Sequence, residues 1–577
     1  MKAANGVGSG RGACRVAGVA AAVLWLLLVC RWFDVDTPPR PAWLGAIPPL
    51  LLALPTALLV ALWLRARRDA FRFERPPFLG RWDLALPVLL AVLFRLPFVG
   101  QGAAGAVTPD GALSGIVMLR VLNGAEHFVF VPNVPYSGSL KSHLAAPIAL
   151  VLDPPRAFAL ASVLFYAVYV AALVKLAALV PGASRRVVLG AGLYAAFAPP
   201  FVTRYSLSND GNYVEVLALG TWALLFAVRW VGSPTPRIVA LVAGLLLGLA
   251  FWCHILAVIP LVVVGLVLLL YDPRRALRSL PALAAGWVLG NAPGLFWNLA
   301  NHGESFRYLL PGGTSVAGAD SGPGSLTRLS GLLTDHLPVL LGYDLGYGPR
   351  TDAALLLLGW VGLALLVFAI VRSATVAWRS STPALAALLL FGAVNLAVAV
   401  VALPYLPGNA RYILFLTGPA AILLASAMAP TAPGRVALAL LIAGGGAASL
   451  AQLPGTVRTD ERWREFVAAL EASGVRACYT DFYIATRVNF LSGERIVCSA
   501  KLGPTTTEYF YGYRRHVEAA ESAALIAANT TAARKIEERL RERAVAFERH
   551  DLLKPVIVPT RKVDPEELFP GRTFPLR

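Results

Sequence analysis

The sequence predicts an α-helical polytopic membrane protein that carries a small soluble α/β domain at its C-terminus. Two observations lead there. The chain is 57% hydrophobic and only 15% charged, with a mean hydropathy of +0.65, whereas a soluble globular chain has about a quarter of its residues charged. Up to residue 455 the charges also sit in short clusters between apolar runs. Those runs are long enough to cross a ~30 Å hydrocarbon core at ~1.5 Å per residue. The net charge of +18 is mostly arginine placed between the runs, where it orients helices. No basic patch interleaved with aromatics, helix-turn-helix or RNA-recognition signature accompanies it, so nucleic acid is excluded as a partner.

The spans follow in order. Residues 16–33 are apolar after Lys2, Arg11 and Arg15, but no small-residue cleavage site ends the run, so a retained helix is expected. Residues 44–64 cross back to a loop, 65–82, holding Arg65, Arg67, Arg68, Arg72, Arg75 and Arg81, the strongest positive-inside signal in the chain. With that loop cytoplasmic, alternation assigns outward spans at 84–99, 187–202, 280–299, 385–403 and 436–453. Inward spans fall at 157–180, 214–230, 353–371 and 411–428, and 238–271 is a hairpin of two helices turning near Cys253-His254. The count is about thirteen, with the N-terminus cytoplasmic and large external loops at 100–143 and 301–351.

Beyond residue 455 the pattern is that of a small α/β domain. An amphipathic helix at 461–472 is followed by strands at 475–480 and 495–500 flanking a helix at 482–491. A further strand at 523–528 and a charged helix at 530–542 complete a strand-helix-strand order that suggests a partly parallel sheet. On the span count this tail is extracytoplasmic. A disulfide between its cysteines, Cys478 and Cys498, is then permitted, two free core thiols being the alternative. None of the five cysteines forms a CxxC pair. The string GGTSVAGADSGPG at 312–324 follows no strand and reads as an external lid-like loop rather than a phosphate-binding loop.

Chemistry in such a chain is sought among ionisable groups at the membrane surface. The first external loop contains TPDGALSGIVMLRVLNG at 108–124 and VPYSGSLKSHLAAP at 134–147. Asp110 stands where a carboxylate accepts a proton from an acceptor hydroxyl or amine; equally, Pro109-Asp110 suits a helix start, with Asp110 as its cap. External-side groups able to meet a phosphate are Lys141, His143, Arg204, His254, Arg307 and Arg411. Headgroup contact or snorkelling is the alternative for each, and packing is the alternative for His254.

The order LFRLPFVG at 93–100, PDGA with Asp110, NG at 123–124 and YSGSLKSH at 136–143 resembles the opening of the GT-C glycosyltransferases. That superfamily includes protein O-mannosyltransferases and the lipid A aminoarabinose transferase. AGLLLGLAFWCH at 243–254, PGLFWNLANHG at 293–303 and NARYILFLTGPAAILLA at 409–425 fit the same pattern, and the resemblance covers residues 84–430. It implies a membrane glycosyltransferase with Asp110 as catalytic base and a polyprenyl-phosphate sugar as donor. The acceptor, be it lipid, glycan or protein, is unspecified. The tyrosine-glycine-basic string implies substrate or lipid-phosphate contacts from Tyr136, Lys141 and His143. Arg204, His254 and Arg411 are further candidates, and Arg411 matches the Arg-Tyr string of these enzymes. Asp110 is followed by Gly111, so the paired acid of some relatives is missing; Asp210 or Glu215 is the candidate second carboxylate. The pattern requires no cofactor and offers a divalent metal no paired acidic motif.

The expected organisation is therefore two additional N-terminal helices and a basic loop in 1–83, a GT-C-like core in 84–454 and an extracytoplasmic domain in 455–577. The expected location is the inner (plasma) membrane. The competing classes are a lipid or glycan transporter or flippase, for which no inverted repeat or midplane charge is visible, and a catalytically silent relative whose tail binds a glycan or partner.

Overall fold

The computed structural model describes residues 6–33, 48–67, 76–100, 108–208, 211–308, 324–342, 353–380, 382–401, 403, 410–502 and 508–570. Asp210, residues 312–323 and parts of the loops 65–82, 100–143 and 301–351 lie outside them. Among the described residues, eight helices are long and apolar enough to span a bilayer, and the shorter apolar helices Val16–Trp32, Leu86–Val99 and Ile255–Tyr271 join them. The chain is a multi-pass membrane protein. Each of these eleven coincides with an expected span. Pro49–Ala66 turns Leu50, Leu51, Leu54 and Leu58 outward, as a helix facing lipid does.

The other two expected spans are broken. Residues 187–202 form helices Arg185–Ala196 and Pro200–Tyr205 on either side of Pro199, because consecutive prolines remove backbone donors and crowd the preceding turn. Breaks within a bilayer persist only where protein groups meet the freed backbone. Here Arg95 Nη1 donates to the Ala196 carbonyl at 2.9 Å, and the hydroxyls of Thr203 and Ser449 both donate to the Ala198 carbonyl at 2.9 Å. Arg95, fully buried, also donates from Nε to Ser206 Oγ at 2.6 Å and stacks 3.9 Å over the Tyr166 ring. Residues 280–299 are likewise divided, into Pro273–Gly290 and Ala292–Ala300, at Asn291 before Pro293.

The hairpin near Cys253-His254 is present as helices Pro236–Cys253 and Val258–Tyr271 joined by a short 3₁₀ turn. Its first helix packs on Pro273–Gly290 through two glycine pairs four residues apart. A Cβ on Gly244 or Gly248 would collide with the carbonyls of Leu283 or Trp287, and one on Gly286 or Gly290 with those of Leu241 or Leu245. Small residues at this spacing let membrane helices approach backbone to backbone. That contact fixes the helix end carrying His254 against the helix that leads to Trp297.

The first loop is a folded unit. Helix Pro109–Leu122 is followed by strands β1, Phe130–Val131, and β2, Val134–Gly138, in an antiparallel pair. The last span and the expected tail helix 461–472 prove to be one helix, Ala432–Ala472, of 41 residues. At ~1.5 Å per residue it is about 60 Å long, twice the hydrocarbon thickness, so its second half projects into the tail. There β3 (Ala477–Tyr479), β4 (Val497–Ser499), β5 (Ala524–Ile526), β6 (Phe547–Asp551) and β7 (Pro555–Pro559) form one sheet in the order β4-β3-β5-β7-β6. The first three strands are parallel and the β6–β7 hairpin is added antiparallel. Cys478 and Cys498 are register partners on β3 and β4 and are joined by a disulfide.

Tail and first loop share one hydrophobic core. Ile116 and Met118 of the loop helix are buried with Phe482, Val488 and Phe490 of the tail. Gly115 lies against the Phe490 ring, where any Cβ would clash. Residues Gly111 to Leu119 are all buried, so the loop helix is enclosed on every side. At its end Arg120 makes a two-pronged contact with Glu494, Nε and Nη2 lying 2.9 and 2.7 Å from Oε1.

Candidate active site

Three local devices bring the candidate residues together. Thr108 caps the loop helix by accepting from the Gly111 backbone N–H at 3.1 Å. The cap role considered for Asp110 is thus taken by its neighbour, and Asp110 stands in the first turn. The β1–β2 hairpin turns through Asn133 in the left-handed region at φ 59° and is pressed onto the end of Pro236–Cys253. Gly138 abuts the Trp252 carbonyl so closely that no side chain fits, and the Trp252 indole donates to Val129 at 3.0 Å. Finally, the buried Asn212 side chain donates to Ser137 Oγ at 3.0 Å, the Gly138 carbonyl at 2.5 Å and the Cys253 carbonyl at 3.0 Å. Ser137 and His254 form a β-bridge across this seam, which sets Tyr136 edge-on to His254 with ring centroids 5.6 Å apart.

The result is a pocket of about 380 Å3 lined by Asp110, Tyr136, His254 and Arg411. Tyr213, Tyr308, Tyr412 and Tyr509 complete its aromatic wall. Four residues chosen from the sequence, drawn from three distant segments, therefore face one space. The Arg411 guanidinium lies 5.1 Å over the Tyr412 ring and donates to its hydroxyl at 3.2 Å. His254 Nδ1 accepts from the Leu256 backbone N–H at 3.1 Å, which assigns the proton to Nε2. Burial, with the nearby Asp110 charge adding to it, pushes the Tyr509 phenol up to about 12 and that of Tyr136 higher. Both are neutral hydroxyl donors at physiological pH. The pocket thus combines a carboxylate, a guanidinium and several neutral donors in a space of ligand size.

Comparison with solved structures identifies the architecture. ArnT from Cupriavidus metallidurans bound to undecaprenyl phosphate superimposes with a TM-score of 0.56 at 12% identity, over 82% of this chain and 97% of that one. The apo form gives 0.53 at 11% identity over the same shares. The chain has a GT-C glycosyltransferase fold. The Archaeoglobus fulgidus oligosaccharyltransferase AglB, in complex with an inhibitory peptide and a dolichol-phosphate, gives 0.43 at 12% identity over 78% of this chain and 70% of that one. No protein-family model matches the sequence, and no curated protein matches it.

Within the GT-C fold the other candidates lie elsewhere. Lys141 does not line the pocket; it is buried in an ion pair 3.2 Å from Glu215, also buried, and donates to the Ser208 carbonyl at 3.2 Å. Glu215, considered as a second carboxylate, is the other half of that pair. His143 contacts the Ser139 carbonyl through Nδ1 at 2.9 Å and packs against Phe33, centroids 5.0 Å apart. Arg204 sits 5.5 Å from the Tyr205 ring, outside the pocket, and Arg307 ends the short helix Glu304–Arg307. Asp210 lies outside the described residues. Among the described residues no group of three His, Cys, Asp or Glu side chains is arranged to hold a metal ion. Tyr412 was legible as the neighbour of Arg411. Tyr509 had no signal, since it comes from the tail; Asn133 Nδ2 of the first loop donates to the Glu508 and Tyr509 carbonyls at 3.2 and 3.0 Å beside the pocket.

Two predictions follow from these contacts. Lys141→Met leaves Glu215 as an uncompensated buried charge and should cost about 3–5 kcal/mol, read as a fall in melting temperature. Lys141→Met/Glu215→Leu should regain most of it, and equal losses in single and double variants would refute the pair's structural role. The second concerns Glu508, which accepts from Ser499 Oγ at 2.7 Å and the Ala500 N–H at 3.1 Å. Burial raises its carboxyl from the ordinary 4.5 to about 7, against those two bonds and Arg514, with Glu518 adding to the rise. The folded tail therefore holds a proton that the unfolded chain releases. Its contribution is full below about pH 4.5 and is lost as pH rises through about 7. Thermal stability should decline between pH 5 and 8 in wild type and decline less in Glu508→Gln; identical slopes would exclude the linkage.

Proposed function

We propose that this chain is a membrane glycosyltransferase that moves a sugar from a polyprenyl-phosphate donor to an acceptor at the external membrane face. The observation that carries the reading is the convergence of Asp110 and Arg411 on one pocket in a chain with a GT-C fold. The acceptor hydroxyl gives its proton to Asp110 as its oxygen bonds to the anomeric carbon. The bond from that carbon to the phosphate oxygen breaks, and polyprenyl phosphate departs. Arg411 stabilises the charge growing on the phosphate, with neutral hydroxyl donors such as Tyr136 around it. A single displacement of this kind inverts the anomeric configuration. Asp110→Asn should lower transfer from a radiolabelled polyprenyl-phosphate sugar at least ~10²-fold while donor binding persists. Full activity of that variant would remove Asp110 from the mechanism.

The external placement rests on the arginine asymmetry of the loops, above all at 65–82, and agrees with the disulfide in the tail. The tail shares a core with the loop bearing Asp110, so the two lie on one side of the membrane. A C-terminal alkaline phosphatase fusion should be active in intact cells of a bacterial host. An inactive phosphatase with a fluorescent C-terminal fluorescent-protein fusion would reverse the orientation.

A further inference from the structure

The Asp110 pocket has a neighbour of different chemistry. A second cleft, of about 460 Å3, shares Val131 and Tyr509 with it, so the two spaces meet at that wall. The cleft is assembled from the first loop, from the segment after the glycine-paired helix and from the tail. Its charge is acidic. Among its described lining residues Arg120 is the one cation, and it is already held by Glu494 at 2.7 Å and by Glu126 at 2.8 Å. That leaves Glu126 and Glu304 as the excess, and Glu304 has no ion-pair partner among the described residues. A phosphate or carboxylate ligand is disfavoured by such a field.

The remaining surface is aromatic and amide. Trp297 is half-buried and meets Phe130 edge-on, centroids 5.1 Å apart, while Phe510 meets Phe128 edge-on at 6.0 Å. Asn301 Nδ2 donates to the Trp297 carbonyl at 2.8 Å, which steadies this wall and leaves the amide oxygen as an acceptor. Flat aromatic faces beside acceptor-only carboxylates match a molecule with C–H faces and many hydroxyl donors. That is the chemistry of a sugar ring. A lipid phosphate is repelled, and an apolar segment would cover the Glu304 carboxylate without supplying a donor to it.

We infer that this cleft binds the acceptor as an uncharged carbohydrate, with Trp297 against a ring face and Glu304 and Glu126 accepting from hydroxyls. One hydroxyl is thereby presented past Tyr509 to Asp110. The inference rests on the glycosyltransferase reading of the neighbouring pocket and names its acceptor class.

The test uses the full chain in nanodiscs and saturation-transfer NMR with maltose, cellobiose and α-1,6-mannobiose, and with glucose 6-phosphate and a lysine-rich peptide as contrasts. At least one neutral disaccharide should bind, with at least a tenfold weaker affinity in Trp297→Ala and in Glu304→Gln. Trp297→Phe, which keeps an aromatic face, should retain part of it, and Glu304→Gln, isosteric and exposed, should melt with the wild type. Absence of disaccharide binding, unchanged affinity in both variants, or displacement of the disaccharides by the peptide but not by one another would overturn the assignment. Undecaprenyl phosphate binding is measured separately on the same samples. Its failure in wild type strikes the transferase reading, whereas failure of the sugars alone strikes only the cleft.

Discussion

A helix interrupted within a bilayer must have its freed backbone groups met by protein, because lipid offers no hydrogen bonds. This constraint organises the site. The chain breaks its helices at Pro199, at His254 and at Asn291, and the first two breaks carry a dedicated partner: Arg95 with Thr203 and Ser449 at one, the Asn212 amide at the other. Asn212 holds a left-handed backbone at φ 59°, which asparagine tolerates better than most residues. From there its amide joins the first loop to the hairpin end, so satisfying the backbone and building the pocket are one act. His254 and Tyr136 face each other across that seam, not because each was placed alone, but because the bridge between Ser137 and His254 leaves them adjacent.

The same economy places the tail. A helix of 41 residues joins the last span to the first strand of the tail without a flexible linker. The loop helix is buried from Gly111 to Leu119 between the tail on one side and Ala145, Ala157 and Phe158 on the other. Removing the tail would expose that apolar face to water and leave Arg120 without Glu494. The tail is therefore part of the pocket's construction as well as a domain attached to it, and among the described residues Tyr509 carries it to the pocket.

What was legible in the sequence was what depends on local pattern. Apolar runs gave eleven spans, and the local pattern of the tail gave the helices Phe482–Leu491 and Thr530–Glu542 to the residue. Their caps, Asp481 and Asn529, accept from the backbone N–H groups of Ile484 and Ala532, as short polar residues at a helix start do. What depends on distant pairing was not legible. A buried lysine and a phosphate-binding lysine look alike until Glu215 is seen 3.2 Å from Lys141. The fusion of span and tail helix was hidden by Pro454 and by the change in composition at 456, which suggest a boundary where the helix continues. The hairpin of β6 and β7 went unread because β6, FERHD, is a charged edge strand with little apolar alternation.

Charge separates the two halves of the proposed reaction. The pocket beside the bundle offers Arg411 and phenols alongside Asp110, and the adjoining cleft offers Glu126 and Glu304, with Arg120, the one cation among its described lining residues, already paired with Glu494. A donor whose phosphate becomes more negative as the sugar leaves would be held on the side that carries Arg411. An uncharged acceptor is tolerated on the acidic side, where a second phosphate is not. Asp110 lines the pocket that shares Val131 and Tyr509 with the cleft. In the proposed reaction a base in that pocket would accept a proton from an acceptor presented across the shared wall. The two substrates would then be sorted by sign before any group that reads sugar identity is engaged.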